Sequence, residues 1–124
     1  MSELATNRMI VLDCFENLFV HKDFDAAKAA LHPDFLTHSP GNPSGRDAFA
    51  EALRNSATIG TAVEVKRVIA EDDLVMVQLH VRPPDDERGY AIVDILRVEN
   101  GLLVEHWDVK QPVPPAAEIP NGMF

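Results

Sequence analysis

Near residue 60 the chain changes its hydrophobic period, and that change restricts the fold more than any other feature. Before it, Val11, Leu12, Phe15, Leu18 and Phe19 recur at helical spacing on one face, with Glu3, Arg8, Asp13, Glu16 and Asn17 opposite. After it, Val63, Val65, Arg67 and Ile69 alternate with Glu64, Lys66 and Val68, the two-residue period of a strand. Helices first and long strands afterwards predict an α+β domain, with helices on one face of an antiparallel sheet.

The first helix is expected from about Glu3 to Val20. Asp23 suits the N-cap of a second, carrying Phe24, Ala27, Ala30 and Leu31 and stopped by Pro33. Residues 35–45 are predicted to be a turn-rich loop with at most a very short strand at Phe35 to His38. Ser44 and Asp47 resemble a capping box ahead of a third helix, which carries Phe49, Ala52 and Leu53 and ends near residues 57–60. Strands are predicted over Ala62 to Ala70, Leu74 to Arg82, Tyr90 to Val98 and Leu102 to Lys110. Asn100-Gly101 is the strongest hairpin signal, because both residues tolerate positive φ. The tail, 111–124, holds Pro112, Pro114, Pro115 and Pro120, which exclude a helix or a central strand. Its apolar Met123-Phe124 end is expected to strap over the body or over a partner subunit. The 124 residues are expected to form one domain with one hydrophobic core.

A net charge of −9 argues against nucleic-acid and anionic-membrane partners. No apolar run approaches the ~20 residues of a membrane span. The N-terminal stretch lacks the basic start and cleavage site of a signal peptide. A cytoplasmic location is therefore expected. Glycine-rich phosphate loops and Gly-x-Ser-x-Gly elbows are missing, which argues against nucleotide binding and serine hydrolysis. Cys14 is the only cysteine. Its acidic neighbours Asp13 and Glu16 are expected to raise the thiol pKa and make it a poor nucleophile.

Chemistry concentrates on the strands. Asp94 stands mid-strand on a face shared with Tyr90, Ile92, Leu96 and Val98, where desolvation would raise its pKa. His106 and Asp108 share one face of the last strand, while Glu105 and Trp107 take the other. On the second strand His80 shares a face with Met76, Gln78 and Arg82, and alternates with Leu79 and Val81. If the inner faces match, Asp94, His80, His106 and Asp108 converge, and His38 closes the group from the loop. Imidazoles and carboxylates also suit a metal. No close-spaced histidine pair supports one, so neither metal nor other cofactor is expected.

The helix order, Phe35-Leu-Thr-His38-Ser-Pro40, Val93-Asp94-Ile-Leu-Arg97 and Asn100-Gly-Leu-Leu-Val-Glu-His106-Trp-Asp108-Val together resemble the SnoaL-like proteins of the nuclear transport factor 2-like superfamily. Gln111-Pro-Val-Pro and Asn121-Gly-Met-Phe124 look like the tail of a bacterial subgroup associated with aldol condensation. The resemblance implies a cone-shaped barrel in which a curved antiparallel sheet wraps three helices around a pocket. It implies an acid/base role for Asp94, an assisting role for His80, and pocket positions for His38, His106 and Asp108. The implied ligand is a small apolar carbonyl compound that is cyclised or isomerised, and the implied assembly is a homodimer through the outer sheet face. The same fold also serves noncatalytic ligand-binding and protein-interaction modules, so that alternative stands beside the enzyme reading.

Overall fold

The computed structural model describes residues 2–56 and 62–124. Its elements run α1 (Glu3–Phe19), α2 (Phe24–Ala29), β1 (Leu31–Thr37), α3 (Arg46–Arg54), β2 (Ala62–Glu71), β3 (Leu74–Arg82), β4 (Tyr90–Glu99) and β5 (Leu102–Pro112), with a short 3-10 turn at Ala116–Glu118.

Ser2 caps α1, its side chain accepting from the Ala5 amide at 3.1 Å. The buried stripe of α1 is Asn7, Val11, Cys14 and Leu18, one residue every turn, and Phe15 and Phe19 flank it. Asp23 caps α2 by accepting from the Ala26 amide at 3.0 Å. The third helix departs from expectation at its start. Gly45 occupies the N-cap at φ 91°, and among the described residues no side chain caps the helix. Ser44 instead accepts a hydrogen bond from the Thr37 amide at 3.1 Å, so its hydroxyl ties the loop to β1. The helix stops at Arg54, and the end expected near residues 57–60 lies outside the described residues.

The strands follow the order β1-β5-β4-β3-β2. The three hairpin pairings are antiparallel, but β1 lies parallel to β5. The sheet is therefore mixed, curved and unclosed, with β1 and β2 at its edges. Two expectations change here. β1 begins at Leu31, not Phe35, and Pro33 lies within it rather than ending a helix. An edge strand tolerates a proline, because one side of its ladder needs no donor. β5 runs to Pro112, two residues into the expected tail, with Tyr90 and Ala91 as its partners there.

Asp72 (φ 53°) and the pair Asn100 (φ 51°) and Gly101 (φ 81°) turn two of the hairpins. Gly89 re-enters the sheet against the Val81 carbonyl, where a Cβ would collide. The inner sheet face presents Val75, Val77, Leu79, Val81, Leu96, Val98 and Leu103 to the helices, and these form one core with Val11, Leu18, Phe35 and Phe49. A register shift between Arg97 and Val98 sets Val98 opposite Leu103 and Arg97 opposite Glu105. That bulge at Val104 puts both Leu103 and His106 on the inside. The outer face carries a cross-strand row of Ile69, Met76, Ile95 and Trp107.

The tail leaves β5 with the Val113 amide on the Gly89 carbonyl at 2.9 Å. It ends with the Phe124 ring stacked on His80 (centroids 4.4 Å apart), and Lys66 Nζ lies 5.4 Å from the same ring. The strap thus crosses the outer face of β3 and β2. No described helix is long and apolar enough to cross a membrane.

Candidate functional site

Between the helices and the inner sheet face lies a cavity of about 470 Å³. Its walls are apolar, supplied chiefly by Phe15, Leu18, Phe24, Phe35, Phe49 and Ile92. Most of its polar groups, Ser39, Asn42, Asp94, His106 and Asp108, gather at the polar end on β4, β5 and the loop after β1. Volume and composition fall in the range of small-molecule sites, which pair apolar walls with a few placed polar groups.

Register decides which side chains reach this cavity. Asp94 faces Asp108 on β5 and Val77 on β3, and Leu96 faces His106. Residues opposite one another share a face, so Asp94, His106 and Asp108 all point inward and line the cavity. His106 Nε2 lies 2.9 Å from Asp94 Oδ1. Both side chains are nearly buried, at 11% and 13% exposure.

Two of the predicted pocket residues lie elsewhere. His80 pairs with Ala91, one pleat out of phase with Val77 and Asp94, and so points to the outer face. There Nε2 donates to the Arg88 carbonyl at 2.7 Å while Phe124 covers the ring. His38 also faces outward. Its Nε2 meets Glu105 Oε2 at 2.7 Å, and its ring stacks on Trp107 at 5.1 Å. Glu105 in turn holds Arg97 at 3.1 Å, and the His38 bond leads the causes that lower its carboxyl pKa.

The residues on either side of His38 supply the site instead. Thr37 Oγ1 lies 2.9 Å from His106 Nδ1 and accepts the Ser39 amide at 3.1 Å. Ser39 Oγ donates to Asp108 Oδ2 at 2.7 Å and accepts from Asn42 Nδ2 at 3.0 Å. One short segment therefore supports both carboxylates, Asp108 directly and Asp94 through His106. The signal for Thr37 and Ser39 was their alternation with His38: only one parity can face inward.

Burial holds the Asp94 carboxyl above the ordinary carboxylate range. The hydrogen bond from His106 opposes that rise, and the nearby Asp108 charge adds to it. The folded pKa thus exceeds the unfolded one, so the stability linked to Asp94 is fully present below the unfolded value and is lost as pH rises through the folded value. Asp94→Asn has no such ionisation. Its stability relative to wild type should climb as pH is raised from about 4 and level off above the folded value, as read by melting curves of both proteins. A pH-independent difference would contradict the raised pKa.

Asp94, His106 and Asp108 each offer a ligand atom within 4.8 Å of the others, a spacing a metal ion could use. Here His106 Nε2 is engaged with Asp94 Oδ1, and one oxygen of Asp108, Oδ2, with Ser39. The donor set is arranged as a hydrogen-bonded array, which a cation would have to break.

Cys14 also lines the cavity. Its thiol is pushed up to about 11, and the cause is burial rather than the acidic neighbours. Native protein at pH 8 should therefore resist iodoacetamide, and denatured protein should alkylate readily. Rapid native labelling, followed by mass spectrometry, would show that Cys14 is open to solvent.

The profile of the SnoaL-like domain family matches residues 11–106. No curated protein sequence matches the chain. Among solved structures, a candidate ketosteroid isomerase from Kribbella flavida is similar, at 18% identity over 96% of this chain and 90% of that one, with TM-score 0.79. A nuclear transport factor 2-like protein of unknown function from Burkholderia xenovorans is 19% identical over 93% of each chain, with TM-score 0.74. An LEH-like epoxide hydrolase of M. tuberculosis is 21% identical over 89% of this chain and 86% of that one, with TM-score 0.72.

Proposed function

The chain belongs to the SnoaL-like domain family, and on that premise we propose that it is a proton-transfer enzyme acting on a small, apolar carbonyl compound. The carrying observation is Asp94, a buried carboxylate held by His106 at the polar end of an apolar cavity. A base near neutral pH needs a raised carboxyl pKa and a site shielded from water, and burial supplies both.

In this reading Asp94 takes the acidic proton from the carbon next to a substrate carbonyl. The electron pair of the broken C–H bond moves onto the carbonyl oxygen as an enolate. His80, to which the resemblance gives an assisting role, points outward and cannot reach that oxygen. Asn42 lines the cavity and commits an amide proton to Ser39, which leaves it a second proton to offer the enolate. The enolate then attacks a second carbonyl of the same substrate, and the resulting alkoxide takes the proton back from Asp94, giving an aldol ring. Otherwise it is reprotonated by Asp94 at another carbon, giving an isomer. The exposed outer residues Ile69, Met76 and Val109 support a homodimer through the sheet's outer face.

The paired carboxylates favour a second reading, acid/base addition of water to an epoxide. Asp94 and Asp108 stand directly opposite on neighbouring strands, and one similar structure is that of an epoxide hydrolase. A thermal-shift screen of cyclic ketones, β-keto esters and epoxides tests both readings, because a ligand bound only by the folded state raises Tm. Carbonyl compounds that raise Tm and are turned over support the proposal. Turnover of epoxides alone supports the second reading, and binding without any product supports a ligand-binding module.

A further inference from the structure

We propose that Thr37 is a positioning residue whose hydroxyl holds His106 as the neutral Nε2–H tautomer, so that a proton donor always faces Asp94. The protons along one line of atoms can be counted. A hydroxyl has a single proton and two acceptor lone pairs. The Ser39 amide already donates to Thr37 Oγ1 at 3.1 Å, which uses one lone pair. The remaining contact is His106 Nδ1 at 2.9 Å.

When the Thr37 hydroxyl donates to Nδ1, the imidazole carries its one proton on Nε2, 2.9 Å from Asp94 Oδ1. Every group in the line is then paired, with Asp94 ionised. When Nδ1 carries the proton instead, Thr37 Oγ1 must accept twice, and its own proton has no acceptor among the described residues. Nε2 then presents a lone pair to the carboxylate, a repulsion relieved by protonating Asp94, or by protonating Nε2 as well, which still leaves the Thr37 proton unpaired. The partner of one ring nitrogen sets the state of the other, and here that partner is oriented by the backbone of the loop after β1.

The consequence reaches the base. Asp94 faces His106 and Asp108 from β5, and Cys14, Lys28 and Lys110 line the same cavity. Of these, only His106 donates to it. Losing the Thr37 hydroxyl frees the imidazole proton to move to Nδ1 and so favours the protonated, inactive form of Asp94. This deepens the proposed function and rests on it for the activity readout alone; the tautomer itself can be observed without any substrate.

The test compares wild type with Thr37→Val, which keeps the side-chain shape, and Thr37→Ser, which restores the hydroxyl. Long-range proton–nitrogen NMR of the full chain should show His106 as Nε2–H in wild type and in Thr37→Ser near neutral pH. Thr37→Val should move it to Nδ1–H or to a mixture. On a carbonyl substrate, the acidic limb of the kcat profile should shift to higher pH in Thr37→Val, with KM little changed, and should return in Thr37→Ser. An Nδ1–H or doubly protonated ring in wild type, or an unchanged tautomer in Thr37→Val, overturns the proposal. A tautomer shift in protein that never removes a substrate proton upholds the Thr37 role and removes the base reading.

Discussion

Asp94→Asn should lower turnover by about 10² to 10⁴-fold, the usual contribution of a positioned general base. At about 1.4 kcal/mol per decade that is about 3 to 5.5 kcal/mol of transition-state stabilisation. The asparagine keeps the side-chain shape, and its oxygen can still accept from His106 Nε2. Its amide would face Asp108 as a donor instead of a second negative charge. The fold should therefore persist, and KM should change little, because the lost interaction acts in the transition state. Steady-state kinetics on any substrate found by the screen, with a melting curve beside them, check this. Turnover within a few-fold of wild type would remove Asp94 from the chemistry.

Phe35→Ala should have the largest effect on stability. Phe35 is only 1% exposed and packs its ring 4.9 Å from that of Phe49, with His106 6.3 Å away. A buried phenylalanine cut to alanine costs about 3–5 kcal/mol, through lost transfer energy and the void that remains. Here the void opens into the existing cavity, which Phe35 lines, so the walls cannot easily collapse to refill it. A urea titration should show a lower midpoint with an unchanged slope. A loss below about 1 kcal/mol would mean that β1 is not fixed in the core as described. The same variant should loosen His106, coupling packing to the site.

Asp94 can be singled out from sequence because a carboxylate between Ile92 and Leu96 on an alternating strand contradicts its surroundings. His106 and Asp108 are legible together, since parity within one strand needs no knowledge of its neighbours. His80 shows where that reasoning ends. Parity between two strands depends on the hairpin that joins them, and the 83–89 loop sets Val77, not His80, in line with Asp94. A shift of one residue turns a side chain from the cavity to the opposite face. The loop after β1 is harder still. Its partner, β5, is about seventy residues away in the chain and lies parallel to it, so no local pattern reports the pairing. His38 is the chemically conspicuous residue there, whereas the inward parity belongs to Thr37 and Ser39. Pro33 misleads for a related reason: a proline ends a helix, but it also sits comfortably in an edge strand, and only the sheet order distinguishes the two.

The most direct test of the account is solvent-deuterium exchange at the carbon next to the carbonyl of a bound ketone or β-keto ester, followed by NMR. It reports proton removal itself, whether the enolate later cyclises or isomerises. Wild type should load deuterium at that carbon well above the uncatalysed rate, and Asp94→Asn should fall to near that background. Equal exchange by the two proteins, or product formed by wild type with no exchange at that carbon, would contradict the account.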